Sequence, residues 1–113
     1  MSITAAVLIC LAPVVYDGDT FKCGDSGISV RLFGIQAPER NTTPVGEHAL
    51  ASENLRQLVR GGLVCEPRGT NWSRIVAVCR NAAGVDLGRA QIEAGHATEW
   101  CAYSKNYYGR CPQ

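Results

Sequence analysis

Four short clusters in this 113-residue chain carry side chains that could handle a phosphate or a cation. Asp17-Gly18-Asp19-Thr20 puts two carboxylates one residue apart in a tight turn, a hard-oxygen pair suited to Ca²⁺ or Mg²⁺. The same residues would serve equally as a plain Asp-Gly hairpin turn, in which glycine tolerates positive φ. Arg31 stands among Val30, Leu32 and Phe33, so its guanidinium must reach a rim or a partner carboxylate. In Gln36-Ala37-Pro38-Glu39 a stiff proline leads up to a carboxylate. Arg74 opens the apolar run Ile75-Val76-Ala77-Val78. Nine of the eleven basic residues are arginine, whose planar fork matches carboxylate or phosphate better than lysine's point charge does. Most of the nine read equally as solvated surface.

One domain, residues 1–113, must position these groups, because domains run to roughly 100–200 residues. Paired Rossmann units, TIM barrels and kinase folds are too large to fit. A hydrophobic fraction of 46% with 19% charged residues is a globular composition. The net charge of +1 gives no broad field to draw in nucleic acid.

The apolar run Ile3 to Val15 is too short to span a bilayer, which needs about 20 residues, and reads as one long first strand. Asp17–Thr20 then turns the chain into Phe21-Lys22-Cys23, and Gly24–Gly27 turns it again into Ile28–Phe33. Pro38 and Pro44 bracket a loop. Ala49, Leu55, Leu58 and Val59 recur at helical spacing until Gly61-Gly62. Leu63–Glu66 and Arg74–Cys79 read as strands around a loop from Pro67 to Ser73. A second helix is expected over Val85–Ala94, with Asp86 as N-cap and Gly95 as stop. The order β-β-β-α-β-β-α suits a mainly β (α+β) domain: a five-stranded Greek-key barrel of the OB type with two helices and a short C-terminal tail. A ferredoxin-like layout would need a helix between Val15 and Phe33, and none fits.

Taken together, the clusters resemble the staphylococcal nuclease (thermonuclease) family. The matching pieces are Val15-Tyr16-Asp17-Gly18-Asp19-Thr20-Phe21 and Val30-Arg31-Leu32-Phe33-Gly34-Ile35-Gln36-Ala37-Pro38-Glu39. Pro44, Gly46 and Glu47 at the start of a helix, Arg74, and Asp86-Leu87 followed by Ala94-Gly95-His96-Ala97 complete the likeness. It spans residues 12 to 108. The resemblance implies an OB-fold barrel that hydrolyses phosphodiester bonds of DNA and RNA with Ca²⁺. By position it makes Asp19 a direct metal ligand and Asp17 its support, with Gln36 and the Ala37 carbonyl completing the metal set. Glu39 becomes the carboxylate that positions or activates water, and Arg31 and Arg74 the phosphate-facing arginines. Tyr103 falls at the rim of a nucleotide pocket. The implied substrate is single-stranded or flexible nucleic acid, met by a monomer with no membrane span. That family's long C-terminal helix would begin near Tyr103, where this chain leaves room for only a short tail.

Two positions depart from the pattern. Where the family carries a calcium-binding Asp this chain has Gln36, which offers an oxygen without charge, so metal affinity should fall. The hairpin expected as Asp-x-Tyr-Gly-Arg reads Thr70-Asn71-Trp72-Ser73-Arg74. Trp72 is either an aromatic surface for a base or an anchor in the core or the loop. Two functions therefore stay open: a weakened metal-dependent nuclease, and a non-catalytic OB module that binds nucleic acid or a protein. A secreted accessory role is a third.

Six cysteines in a chain this short suit an oxidising compartment, secreted or periplasmic. A secretory leader would begin with basic residues, and none precedes Lys22, so a leader is expected to be missing or truncated. Cys65 and Cys79 flank one hairpin and can face each other across it. Cys101 and Cys111 flank the aromatic tail and would pin a segment too short for a third helix. Cys10 and Cys23 pair by elimination, although register counting does not set them opposite. No Cys-x-x-Cys occurs to hold zinc. His48 and His96 lack metal-ligand partners at helical spacing and read as surface or helix-end residues.

Overall fold

A computed structural model of the chain describes residues 7–40 and 46–112. The part of the first run from Ile3 to Ala6, and Pro44 in the loop, lie outside those residues. The remaining run is not one strand. It breaks at Leu11-Ala12 into β1 (Leu8–Cys10) and β2 (Pro13–Asp17). Then follow β3 (Thr20–Cys23), β4 (Ser29–Leu32), β5 (Ile35–Gln36), α1 (Glu47–Leu58), β6 (Leu63–Asn71), β7 (Arg74–Asn81), α2 (Leu87–Glu93), β8 (Thr98–Glu99) and α3 (Cys101–Ser104).

Six strands form one sheet in the order β1-β6-β7-β4-β3-β2. Its two edge strands are thus consecutive in the chain and only two residues apart, so the sheet must curl to bring both edges together. The break lets one apolar run serve both edges: β1 pairs with β6, and β2 with β3. All pairings in the sheet are antiparallel except β4 with β7, which is parallel. Phe21, Leu32, Ile35, Leu55 and Leu87 are fully buried between the sheet and the helices. The fold is mainly β with a few helices, as the alternating and helical patterns predict.

Several local expectations give way. The expected loop from Pro67 to Ser73 is mostly strand: β6 continues to Asn71, and only Trp72-Ser73 turn the chain. Pro67 is tolerated because the pairing slips between it and Gly69, where a bulge relaxes the need for ladder hydrogen bonds. β5 and β8 form a separate two-stranded pair that the pattern of five strands omits. Two-residue strands carry too little periodicity to be read. The tail does form a helical turn, α3, fastened by the Cys101–Cys111 disulfide.

All three expected disulfides are present. Cys65 stands opposite Cys79 in the β6–β7 register, with Cα atoms 4.0 Å apart. Cys23 stands opposite Pro13, not Cys10, and the break at Leu11-Ala12 carries Cys10 over to it. Three bridges suit an oxidising compartment. No helix among the described residues is long and apolar enough to cross a membrane.

Candidate functional site

The Asp17–Thr20 turn is built by close packing. Gly18 does not adopt the positive φ expected of a hairpin glycine. Its lack of a side chain matters for a different reason: a Cβ there would lie 2.7 Å from the Cβ of Ala51 and 2.8 Å from that of Ala37. The turn is therefore pressed between α1 and the segment after β5. Gln91 of α2, fully buried, clamps it from beneath. Its Nε2 donates to the carbonyls of Gly18 at 2.8 Å and Ala51 at 2.9 Å, and its Oε1 accepts from Asn54 at 2.6 Å. Nothing in the local sequence marks Gln91, because a polar residue on a helix normally reads as solvent-facing.

This clamp presents Asp17 and Asp19 to a cavity of about 700 Å³. Its walls include every catalytic and metal residue expected from the sequence: Asp17, Asp19, Arg31, Gln36, Ala37, Glu39 and Arg74. They arrive from four separate segments. Asp19 is almost wholly buried. Its Oδ2 accepts the Ala37 N–H at 2.9 Å and lies 3.5 Å from Nη1 of Arg31, while its Oδ1 accepts the Thr20 hydroxyl at 2.9 Å. Arg31 also donates to the Ile35 carbonyl at 3.3 Å. So the partner carboxylate that Arg31 requires in an apolar strand is Asp19.

His48 is not a plain surface residue. Its Nε2 lies 2.6 Å from Oδ1 of Asp17 and 3.5 Å from the Ser52 hydroxyl. Asp17 and His48 sit far apart in sequence, which hides their contact from any spacing rule. His96 is partly buried and borders a neighbouring cavity with Gln36, Pro38 and Glu39.

Trp72 lines neither cavity of the cleft. It caps the β6–β7 hairpin with φ 59° and is 94% exposed, so it is not a core anchor. Tyr103 borders a second cavity of about 430 Å³ that shares Arg31, Asn71 and Trp100 with the first. Sequence reasoning missed Trp100. Its ring centroid is 4.2 Å from that of Tyr103, and the Arg31 guanidinium lies 5.1 Å from its centre. Tyr16, Arg40 and Asn71 were also missed on the first cavity's wall.

The aromatic wall is held by Glu99. Its carboxylate accepts the Ser104 hydroxyl at 2.5 Å and the N–H groups of Tyr108 at 3.0 Å and Arg110 at 2.8 Å. Burial pushes its pKa up, but those donors outweigh burial and hold it below the usual glutamate value. Tyr108 is buried, which drives its phenol well above the ordinary tyrosine range, and its hydroxyl donates to the Phe33 carbonyl at 2.6 Å.

Asp17, Asp19, the Gln36 amide and the Ala37 carbonyl are all hard oxygen donors, and that chemistry fits Ca²⁺ or Mg²⁺. The set carries only two carboxylates. Each already has protein partners, Asp17 in His48 and Asp19 in Arg31, Ala37 and Thr20. The fit is to a weakly held dication. Among the described residues only one group of three acidic, histidine or cysteine side chains brings its ligand atoms close together, Glu99 with Cys101 and Cys111, and both sulfurs are bound in the disulfide. No protein-family model matches the chain, and no curated protein matches it.

Proposed function

We propose that this protein is a metal-dependent nuclease that hydrolyses phosphodiester bonds in single-stranded or flexible nucleic acid. The observation that carries the reading is the meeting, on one cavity wall, of two carboxylates from the first hairpin, Glu39, and arginines from β4 and β7. The barrel is read as the five-stranded Greek-key OB type, supported by the consecutive edge strands and the parallel β4–β7 pair. The chain is read as a secreted or periplasmic monomer, and its three disulfides support the compartment.

A phosphodiester gains negative charge at phosphorus as water attacks. Arg31 and Arg74 face that charge, and a preorganised donor of this kind contributes about 3–4 kcal/mol. Asp19 fixes the Arg31 guanidinium before substrate arrives, so little reorganisation is left for the reaction. Glu39 orients the attacking water and takes its proton, worth roughly 10²–10⁴-fold. A bound dication held by Asp19, Asp17, Gln36 and Ala37 would polarise the phosphoryl oxygen.

The test incubates purified protein with single-stranded DNA, with Ca²⁺, with other divalent ions and with chelator. Metal-dependent cleavage that is lost in Glu39→Gln and Arg74→Ala is expected. Absence of cleavage with every ion would sink the nuclease reading, and cleavage that survives both substitutions would sink the site. A non-catalytic OB module is the second reading. It is favoured by Gln36 and by the protein partners already occupying both aspartates.

A further inference from the structure

Four apolar side chains stand in the open around the break between β1 and β2. Ile9 of β1 lies opposite Val64 of β6, while their neighbours Cys10 and Cys65 are buried, so Ile9 and Val64 point away from the core. Leu11, in the break, and Val14 of β2 extend the exposed row. Exposure runs from 49% at Val64 to 70% at Leu11. Two further cavities, of about 440 and 220 Å³, meet at Leu11 and Gly61 and join the four residues into one face. No charged side chain occurs in the sequence before Asp17, so nothing on β1 or the break holds this face in water. An open apolar face of this kind marks a surface that something else covers.

The charges around it select the partner. The walls of these two cavities hold Arg56, Arg60 and Arg80 and no aspartate or glutamate. Arg60 and Arg80 make no side-chain hydrogen bond or ion pair among the described residues. Two carboxylates beside the face are already engaged. Asp25 accepts the N–H groups of Leu11 at 3.4 Å and Ala12 at 3.3 Å, and Glu53 holds Arg56 at 3.3 Å. A second copy meeting this face with its own would set arginine against arginine, which is repulsive. An anionic bilayer has the matching order of layers. Its apolar boundary takes the aliphatic side chains, and its phosphates lie at a level that long arginine stems reach.

We propose that this face docks the protein on the surface of an anionic phospholipid bilayer, without spanning it. Ile9, Leu11, Val14 and Val64 enter the boundary between headgroups and acyl chains, and Arg60 and Arg80 meet the phosphates. None of these residues lines the cavity of Asp19, so docking stands apart from the nuclease reading.

The test sediments the full chain, in chelator, with vesicles of equal parts phosphatidylglycerol and phosphatidylcholine, and with phosphatidylcholine alone. Binding to the anionic vesicles is expected, weakened by KCl and much lower on the neutral ones. Leu11→Ser and Ile9→Ser should each lower the partition coefficient roughly tenfold, the effect of one inserted aliphatic side chain. Arg60→Gln and Arg80→Gln should each lower it roughly fivefold. Glu66, exposed two residues beyond Val64 and so on the same side of β6, opposes the lipid charge, and Glu66→Gln should strengthen binding. Val85→Ser and Lys105→Gln remove an exposed apolar group and a charge away from this face and should change little. If Ile9→Ser does not fold, Leu11→Ser and Val14→Ser, both outside β1, carry the same comparison. Absence of binding to the anionic vesicles overturns the docking face. Binding that survives the serine variants undiminished is adsorption by charge alone and overturns it too. A dimer in sedimentation equilibrium that Leu11→Ser disperses gives the face to a second copy and overturns the lipid partner.

Discussion

His48 Nε2 and Asp17 Oδ1 lie 2.6 Å apart, tying the first turn of α1 to the end of β2 at the mouth of the cleft. The contact orders a carboxylate and competes for one of its oxygens at the same time. His48→Ala should therefore lower stability by about 1 kcal/mol, or the melting temperature by about 4 °C. It should also tighten Tb³⁺, a luminescent stand-in for Ca²⁺, because an Asp17 oxygen is released. Weaker Tb³⁺ binding would mean that His48 orients Asp17 for the ion.

Gln36 is exposed on β5 and borders the cavity with both aspartates. Gln36→Asp adds a third charge to the oxygen set. Calcium affinity should rise roughly tenfold or more, read by calorimetry without reference to activity. No change in affinity would remove Gln36 from the metal set.

Arg31 and Arg74 should separate when each is changed to alanine. Arg31 carries structural contacts to Asp19 and Ile35, whereas Arg74 makes none among the described residues. Both variants should lose roughly 10²–10³-fold in kcat. Only Arg31→Ala should also melt early, because it removes the one charged partner of the nearly buried Asp19 among the described residues. Equal melting temperatures in the two variants would contradict the assigned contacts.

Gln91→Leu keeps the volume of the clamp and removes its amide. The carbonyls of Gly18 and Ala51 then lose their donor in a buried place, at a cost of about 1–3 kcal/mol. The Asp17–Thr20 turn should loosen with it. Amide exchange at Asp19 and Thr20 should speed up, and unaltered exchange would show that side-chain packing alone holds the turn.

Glu99 supplies a pH signature. Its folded-state pKa lies below the unfolded reference of 4.5. The stabilisation is therefore complete above that reference and is lost as pH falls through the folded value. Glu99→Gln should destabilise the protein at neutral pH, and the gap to wild type should close in acid below about pH 4.5. A gap that persists at low pH would mean that shape, and not charge, is what Glu99 contributes.

What was legible in the sequence follows what short-range pattern can encode. The Asp17–Thr20 turn, the strand around Arg31, α1, α2 and the disulfide across the β6–β7 hairpin each rest on local periodicity, turn chemistry or a fixed offset. The cleft residues were legible through the likeness of their order to a known family. The contacts from His48 to Asp17 and from Gln91 to Gly18 were not, since each joins segments that meet only in three dimensions. The role of Gly18 was misread for the same reason: its neighbours Ala51 and Ala37 come from elsewhere in the chain. Trp100 escaped because an aromatic residue in an aromatic tail reads as packing.

The parallel pairing of β4 with β7 has a consequence in time. Val30 stands opposite Ile75, with α1 and all of β6 between them in the chain, so no short turn can close this ladder. Pairings of such span form late, since the chain must be closed before the contact rewards it. Arg31 and Arg74 sit on these two strands. A part-folded chain carries these side chains and has no cleft. Arg31 and Arg74 therefore reach one cavity wall only once this ladder has closed.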